Sequence, residues 1–243
     1  WYWTKWSHRT TWGIIIPSIN QNQLGLIRNQ IKDSAIKSSR DSNDIQIIAV
    51  TKTFPFSAIQ SAYNNNIFII GENRVQETVD KICNHTLPNN LELHLIGHLQ
   101  SNKVKKAINI FDVIQTVDSL KLAHKINNVA HEINKVQRIY MQINTGNDYA
   151  KHGFSNKEAL NVAKEINSLS NIKLEGIMMI PPFIEMNKDY RNIFKKTKDI
   201  QLEIYNSGIK NCIYISMGMS RDYQMSIEEG ATHIRIGTAL FGN

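Results

Sequence analysis

Eight short apolar segments alternate with helix-like segments along the sequence, and this alternation constrains the fold more than any other feature. Strands that alternate with helices form parallel sheets, and eight of them in about 225 residues match a (β/α)8 (TIM) barrel. We therefore predict an α/β protein built as a single TIM barrel. The predicted strands cover residues 45–51, 67–71, 92–97, 112–117, 138–144, 174–180, 213–217 and 233–237.

Helical segments fill the intervals. Leu24, Ile27, Ile31 and Ala35 recur at helical spacing within residues 20–40, and Ser119 can cap the helix that follows the fourth strand. Few residues follow the eighth strand, so we expect helix 20–40 to fill the vacant place in the outer ring. The alternative is an open doubly wound sheet, but no GxGxxG motif follows the first strand. The other predicted helices cover 57–65, 74–83, a segment from near Ser101, 119–133, 156–168, 187–206 and 222–229.

The first seventeen residues do not follow this pattern. All four tryptophans lie within residues 1–12, and no helical or strand period organises them. We predict an extension, 1–17, that is poorly ordered, and a barrel domain, 18–243. An upstream translated segment, a cloning remnant and a transit peptide are the origins that the sequence leaves open.

Charge and composition limit the partners. The 243 residues carry a formal charge of +7, but the basic residues are scattered and are not interleaved with aromatic ones. No apolar run approaches the roughly 20 residues that a membrane span needs. Cys83 and Cys212 form neither a CxxC pair nor a zinc spacing. We therefore expect no nucleic acid and no membrane as partners, and a cytoplasmic location.

A lysine ends the first predicted strand, in the segment "IQIIAVTKTFP", residues 45–55. In TIM barrels the functional site lies at the carboxyl ends of the strands, which places Lys52 at the mouth. A lysine there is either an ordinary solvated side chain or a functional amine, because a neutral amine is a nucleophile.

Small, donor-rich turns follow the last two strands, in "SMGMSRD" and "RIGTALFG". TIM barrels often bind phosphate at this place, through backbone N–H groups. Gly218, Ser220, Gly237 and Thr238 suit that task, with Ser220 placed to begin the next helix; two ordinary turns are the alternative. A lysine opposite a phosphate site suggests pyridoxal 5′-phosphate (PLP), whose aldehyde the lysine would bind.

Six motifs carry a family resemblance: "AVTKTFP", "GENRVQE", "LHLIGHLQSNK", "INTGNDYAKHGF", "GIMMIP" and "SMGMSRDYQMSIEEGATHIRIGTALFG". Because these motifs occur in the family's order, the chain resembles the pyridoxal phosphate homeostasis family, also called the YggS or PROSC family. The resemblance covers approximately residues 19–242. The resemblance implies a fold-type III PLP barrel, like the N-terminal domain of alanine racemase. It implies a cofactor site made of Lys52 as the PLP-binding lysine, Asn73, the phosphate contacts Ser220, Gly237 and Thr238, the wall residues Met217, Gly218 and Met219, and Arg235 near the pyridine ring.

The function that the resemblance implies is a PLP carrier. The protein would hold PLP as a Schiff base, take part in vitamin B6 homeostasis and pass PLP transiently to apoenzymes, as a monomer without turnover. The alternatives are an amino-acid racemase, a class I aldolase that uses Lys52, and an interaction protein that merely retains PLP. A racemase needs a second acid/base group, which alanine racemase takes from a second domain for which this chain has no room.

The sequence does not decide the roles of several other polar residues. His94 and His98 are four apart, but no third ligand is evident, so we predict no metal site. A run of lysines forms either a solvated face or a contact for an anion: Lys103, Lys105 and Lys106. Glu72 either orients a neighbouring residue or acts as a general base. His152 is expected at the mouth or in a loop.

Overall fold

The computed structural model describes residues 18–146, 152–182 and 188–242. Eight parallel strands form a closed barrel in chain order, and β8 pairs with β1, so that Gln46 lies beside His233. This closure confirms the predicted TIM barrel and excludes the open sheet, which would leave β1 and β8 unpaired. The predicted extension, 1–17, lies outside the described residues. The strands are β1 Gln46–Val50, β2 Ile69–Glu72, β3 Glu92–Leu95, β4 Val113–Val117, β5 Gln137–Gln142, β6 Ile172–Met178, β7 Tyr214–Met219 and β8 His233–Ile236.

Helices surround the barrel. Between strands lie α2 Phe56–Asn64, α3 Val75–Ile82, α4 Val104–Ile110, α5 Leu120–Glu132, α6 Ala159–Asn167, α7 Lys188–Asn206 and α8 Tyr223–Glu228; α1 Gln21–Lys37 precedes β1 and α9 Thr238–Phe241 follows β8. A 3-10 turn, Ser101–Lys103, replaces the predicted helical start near Ser101. Among the described helices, none is both long and apolar enough to cross a membrane.

The helix before β1 takes the eighth place in the outer ring, as predicted. It packs against α8 and α9 on one side. On the other side Arg28 donates to the carbonyl of Asn65, just beyond α2 (2.7 Å). Its first turn is capped by Asn20, and its buried face is Leu24, Ile27, Ile31, Ser34 and Ala35.

The barrel interior contains several buried polar side chains. Interior positions of TIM barrels are mostly branched aliphatic residues, but here His94, Gln115, Tyr140 and His233 are buried there. Gln115 and His94 share a hydrogen bond of 2.7 Å between Nε2 and Nδ1. Towards the amino-terminal end of the barrel, Arg138 bridges Glu92 and Glu175.

Candidate cofactor-binding site

All nine residues of the predicted site belong to one continuous half of the barrel, at or near the carboxyl ends of its strands. They follow or end β7, β8, β1 and β2, which are neighbours in the closed sheet. Val50 pairs with Gly71, and a Cβ built on Gly237 would lie 3.3 Å from that of Val50. The turns after β8, β1 and β2 therefore lie side by side, and the chain fold alone brings Lys52 next to the turn at Gly237, with the turn at Gly218 one strand further round the barrel.

Lys52 is exposed at the end of β1, and the turn around it is held from both sides. Lys81 Nζ donates to the carbonyl of Thr51 (2.8 Å), and the Glu77 carboxylate accepts from the N–H of Thr53 (2.6 Å). Thr53 has a φ of +67°, a conformation that β-branched residues seldom adopt. Such an outlier persists only where its surroundings impose it, so this turn is a fixed platform for the lysine.

Glu72 anchors that platform from inside the protein. Its side chain is fully buried, and its Oε1 accepts from Lys81 Nζ (2.6 Å) and from the Thr51 hydroxyl (2.5 Å). Burial raises the pKa of the Glu72 carboxyl, although both hydrogen bonds act in the opposite direction. These contacts support the orienting role that the sequence left open for Glu72.

A tight turn after β7 forms one wall of the rim. Gly218 has a φ of +91°, and any side chain there would overlap the hydroxyl of Ser226. The carboxylate of Asp222 accepts from the N–H of Met219, which closes the turn around Ser220. Helix α8 begins at Tyr223, so Ser220 lies in the turn and does not begin the helix as the sequence suggested.

The residues after β8 complete the same wall. Arg235 is buried inside the barrel and donates to the Ser216 hydroxyl and to the carbonyl of Met179, both at 2.8 Å. Burial lowers the pKa of Arg235 to about 10, while nearby Asp222 opposes this shift. The guanidinium therefore stays charged at neutral pH. Gly237 is partly exposed and Thr238 is exposed.

Three predicted residues occupy different environments. Asn73 is partly exposed after β2, and its backbone lies so close to Gly97 that no side chain fits at Gly97. Met217 is fully buried in the main hydrophobic core. Met219 is one-third exposed beside the turn.

The structure separates the two histidines that the sequence grouped. His94 is buried in the barrel interior, whereas His98 is exposed on the rim after β3. His98 instead meets Asp118 and His152 on the half of the rim opposite Lys52. These three residues follow β3, β4 and β5 respectively.

Comparison with known proteins places the chain in a family. A pyridoxal phosphate homeostasis protein of Haemophilus influenzae is 37% identical over 227 residues, which cover 91% of this chain and 94% of that one. The chain belongs to the pyridoxal phosphate homeostasis protein family. Residues 28–243 of this family member also match the family model described as "Alanine racemase, N-terminal domain".

Solved structures show the same fold. PipY of Synechococcus elongatus PCC7942, solved with PLP bound, is 33% identical and has a TM-score of 0.76 over 87% of this chain and all of that one. Alanine racemase of Clostridium difficile 630 has a TM-score of 0.74 at 21% identity and covers 95% of this chain but 60% of that chain. The predicted likeness of this pyridoxal phosphate homeostasis family member to the alanine racemase barrel is therefore confirmed.

Sequence reasoning missed the residues that support the platform in this family member. Glu77 and Lys81 were not identified, although their i, i+4 spacing on a predicted helix marks a shared face. Asp222 was also missed; its position shortly before a helix was the available signal.

Proposed function

We propose that this chain binds PLP at the carboxyl end of its barrel, with Lys52 holding the aldehyde as a Schiff base, and that it takes part in intracellular PLP homeostasis and supply. One observation carries the proposal: an exposed amine on a fixed turn lies beside two small-residue turns on adjacent strand ends. The family relatives named for PLP homeostasis, and PipY with PLP bound, support it.

The residues present fit the chemical parts of PLP. The aldehyde needs a reachable amine, which Lys52 offers, and the phosphate needs backbone approach without side chains, which Gly218 and Gly237 permit. Ser220 and Thr238 add hydroxyl donors, and Asn73 adds an amide from the neighbouring strand end. When bound, PLP supplies an aldehyde that condenses with amines and a ring that withdraws electrons.

Arg235 favours storage over catalysis. Its fixed charge, held by Ser216 and Met179, would lie on the ring side of the site, where a positive charge disfavours protonation of the ring nitrogen. The described hydrogen bonds of its guanidinium go to neutral groups, the Ser216 hydroxyl and the Met179 carbonyl. An unprotonated ring withdraws electrons weakly, so this arrangement supports a carrier without turnover.

The exposure of Lys52 supports release to other proteins, since a partner or a free amine can reach a bond at this position. We further propose transient transfer to PLP-requiring apoenzymes. We also propose that the protein acts as a monomer. Two free cysteines, one of them exposed, support a reducing, cytoplasmic location.

Titration of the protein with PLP tests the binding. We expect one saturable visible absorbance band in the wild type and its loss in Lys52→Ala, with unchanged circular dichroism because an exposed side chain contributes little packing. Lys105→Ala, an exposed lysine of α4, is the matched control and should keep the band. A normal band in Lys52→Ala would refute the proposed site.

The proposed absence of turnover has its own test. The PLP-loaded protein, mixed with L-alanine and a keto acid, should show negligible amino transfer, and L-alanine alone should not racemise. Arg235→Gln, which removes the charge, should raise slow side reactions on bound amino acids or weaken PLP retention. Efficient transamination or racemisation by the wild type would contradict the carrier role while leaving PLP binding intact.

A further inference from the structure

Two histidines and an aspartate converge on the rim half that the proposed PLP site does not use. His98 Nδ1 lies 3.1 Å and His152 Nδ1 lies 3.6 Å from the same oxygen, Asp118 Oδ2. The two imidazole rings stack with their centroids 4.4 Å apart. One potential ligand atom from each residue lies within 4.8 Å of the others.

Hydrogen bonds restrain the backbone segments that carry the three side chains. The Thr116 hydroxyl donates to the carbonyl of Gly97 (2.7 Å), which ties the residues preceding His98 and Asp118 together. Near His152, the Gln142 amide donates to its carbonyl (2.9 Å), and Gly153 adopts a φ of +126°. The backbone positions of the three residues are therefore set by the ends of β3, β4 and β5.

The distances to Asp118 and the ligand types match a known class of metal site, and the two exposed imidazoles, which stack in this structure, would rotate so that both ring planes contain the ion. Two atoms bound about 2.0–2.1 Å from a zinc ion at the tetrahedral angle lie about 3.3 Å apart, and the two Asp118 distances bracket that value. Imidazole ligands suit Zn²⁺, Co²⁺, Ni²⁺ and Cu²⁺, whereas Mg²⁺ and Ca²⁺ prefer oxygen ligands.

From this geometry we infer that His98, Asp118 and His152 form a binding site for a divalent transition-metal ion of the zinc class. The Asp118 side chain is 9% exposed, whereas those of His98 and His152 are 47% and 65% exposed. The carboxylate lies on the protein side, and the histidines leave the outer side open. Three protein ligands with an open fourth position are the arrangement that holds a water molecule or an exchangeable ligand on zinc.

The site is separate from the one proposed for PLP. Its residues follow β3, β4 and β5, while the proposed PLP residues follow β7, β8, β1 and β2. Metal binding should therefore not require Lys52 or PLP, and the two proposals can fail independently. A bound ion would tie three rim segments together and stabilise the native state, because the unfolded chain does not hold the three ligands together.

Calorimetric titration of the metal-free, full-length protein with Zn²⁺ tests the inference. We expect one-to-one binding, a higher thermal midpoint with Zn²⁺, and at least a roughly tenfold loss of affinity in His98→Ala, Asp118→Asn and His152→Ala. Titration with Co²⁺ should give visible bands, with intensities typical of four-coordinate cobalt, that the same variants lose.

His124→Ala is the matched control. His124 lies 3.2 Å from Glu165 on the helical surface and is as exposed as His98, but the pair offers only two ligands. The control and Lys52→Ala should bind Zn²⁺ like the wild type, and Mg²⁺ should not compete. Circular dichroism shows whether each variant is folded. Failure of the wild type to bind saturably, or unchanged affinity in any one of the three ligand variants, would overturn the three-ligand site.

Discussion

At the scale of single residues, the barrel interior contains an acid-sensitive pair. His94 and His233 are buried with ring centroids 6.2 Å apart. Burial lowers the pKa of both, that of His233 to about 3, and proximity to His94 adds to the effect at His233. Below about pH 6.5 the unfolded chain binds protons at these histidines that the native state does not bind. The free energy of unfolding therefore falls as the pH falls from about 6.5 towards 3.

This linkage gives a quantitative prediction for His233→Asn. Lowering the pH from 7 to 5 should cost the wild type about 2 kcal/mol through His233 alone, and the variant should lose less by about that amount. Urea unfolding at both pH values measures the difference. The exposed His124→Asn should lose as much as the wild type, and an equal loss in His233→Asn would contradict the linkage.

Sequence predicted the position of Lys52 but not what holds it. The end of an apolar strand in a counted barrel sufficed to place the lysine at the mouth. Glu77 and Lys81 reach the turn only after α3 has packed beside β1 and β2, and no local pattern encodes that contact. For the same reason, the sequence could not show that His98 would meet Asp118 and His152.

At the scale of elements, periodicity predicted all eight strands and the buried face of α1, because burial on a defined face sets these patterns. The Ser119 cap is confirmed by its hydrogen bond from Leu122. Boundaries differ by a few residues; α8 begins one residue after the predicted 222, and Ser220 lies in the preceding turn, which the Asp222 carboxylate closes. A register shift between β7 and β8 near Ser216 had no sequence signal.

Alanine substitutions at three glycines distinguish the energetic cost of a positive φ from the cost of steric overlap. Gly25→Ala should stabilise the protein by about 0.5–1 kcal/mol, because Gly25 lies within α1 and a Cβ added there would have no other heavy atom within 4 Å. Gly208→Ala should destabilise by about 1 kcal/mol, because its φ is +107° but its surroundings are open. Gly218→Ala combines positive φ with overlap of Ser226 and should cost about 3 kcal/mol.

Chemical denaturation measures these three free energies, and PLP titration adds a functional readout. Gly218→Ala should also weaken PLP binding, because the altered turn belongs to the proposed phosphate wall. Gly208→Ala should leave PLP affinity unchanged. Equal stability losses for Gly208→Ala and Gly218→Ala would show that the crowding at Gly218 has no energetic consequence.

At the scale of the whole molecule, the described residues form a closed barrel, and the contacts described for it begin at Ile19. The N–H of Ile19 donates to the Ser61 hydroxyl (2.9 Å), and that of Asn20 donates to the carbonyl of Leu240 (3.0 Å). The count of eight strands predicted this closure. The division of the rim into two halves could not be predicted, because it depends on side-chain contacts between distant segments.

Deleting residues 1–16 should therefore leave both PLP affinity and the thermal unfolding midpoint nearly unchanged. The family model begins at residue 28, and the described contacts that close the barrel begin at Ile19. Spectroscopic PLP titration and calorimetry of the shortened chain check the two quantities. A large loss in either one would show that the tryptophan-rich segment contributes to the barrel.

Reduction of the PLP-loaded protein with borohydride, followed by peptide mapping, tests the central claim most directly. Borohydride converts a Schiff base into a stable secondary amine, so the modified lysine is identified by its mass. The account predicts a single pyridoxyl group on Lys52, with Lys81 and the exposed lysines of α4 unmodified at one equivalent of PLP. A label on another lysine, or none on any, would contradict the claim that Lys52 on its fixed turn is the PLP-binding residue.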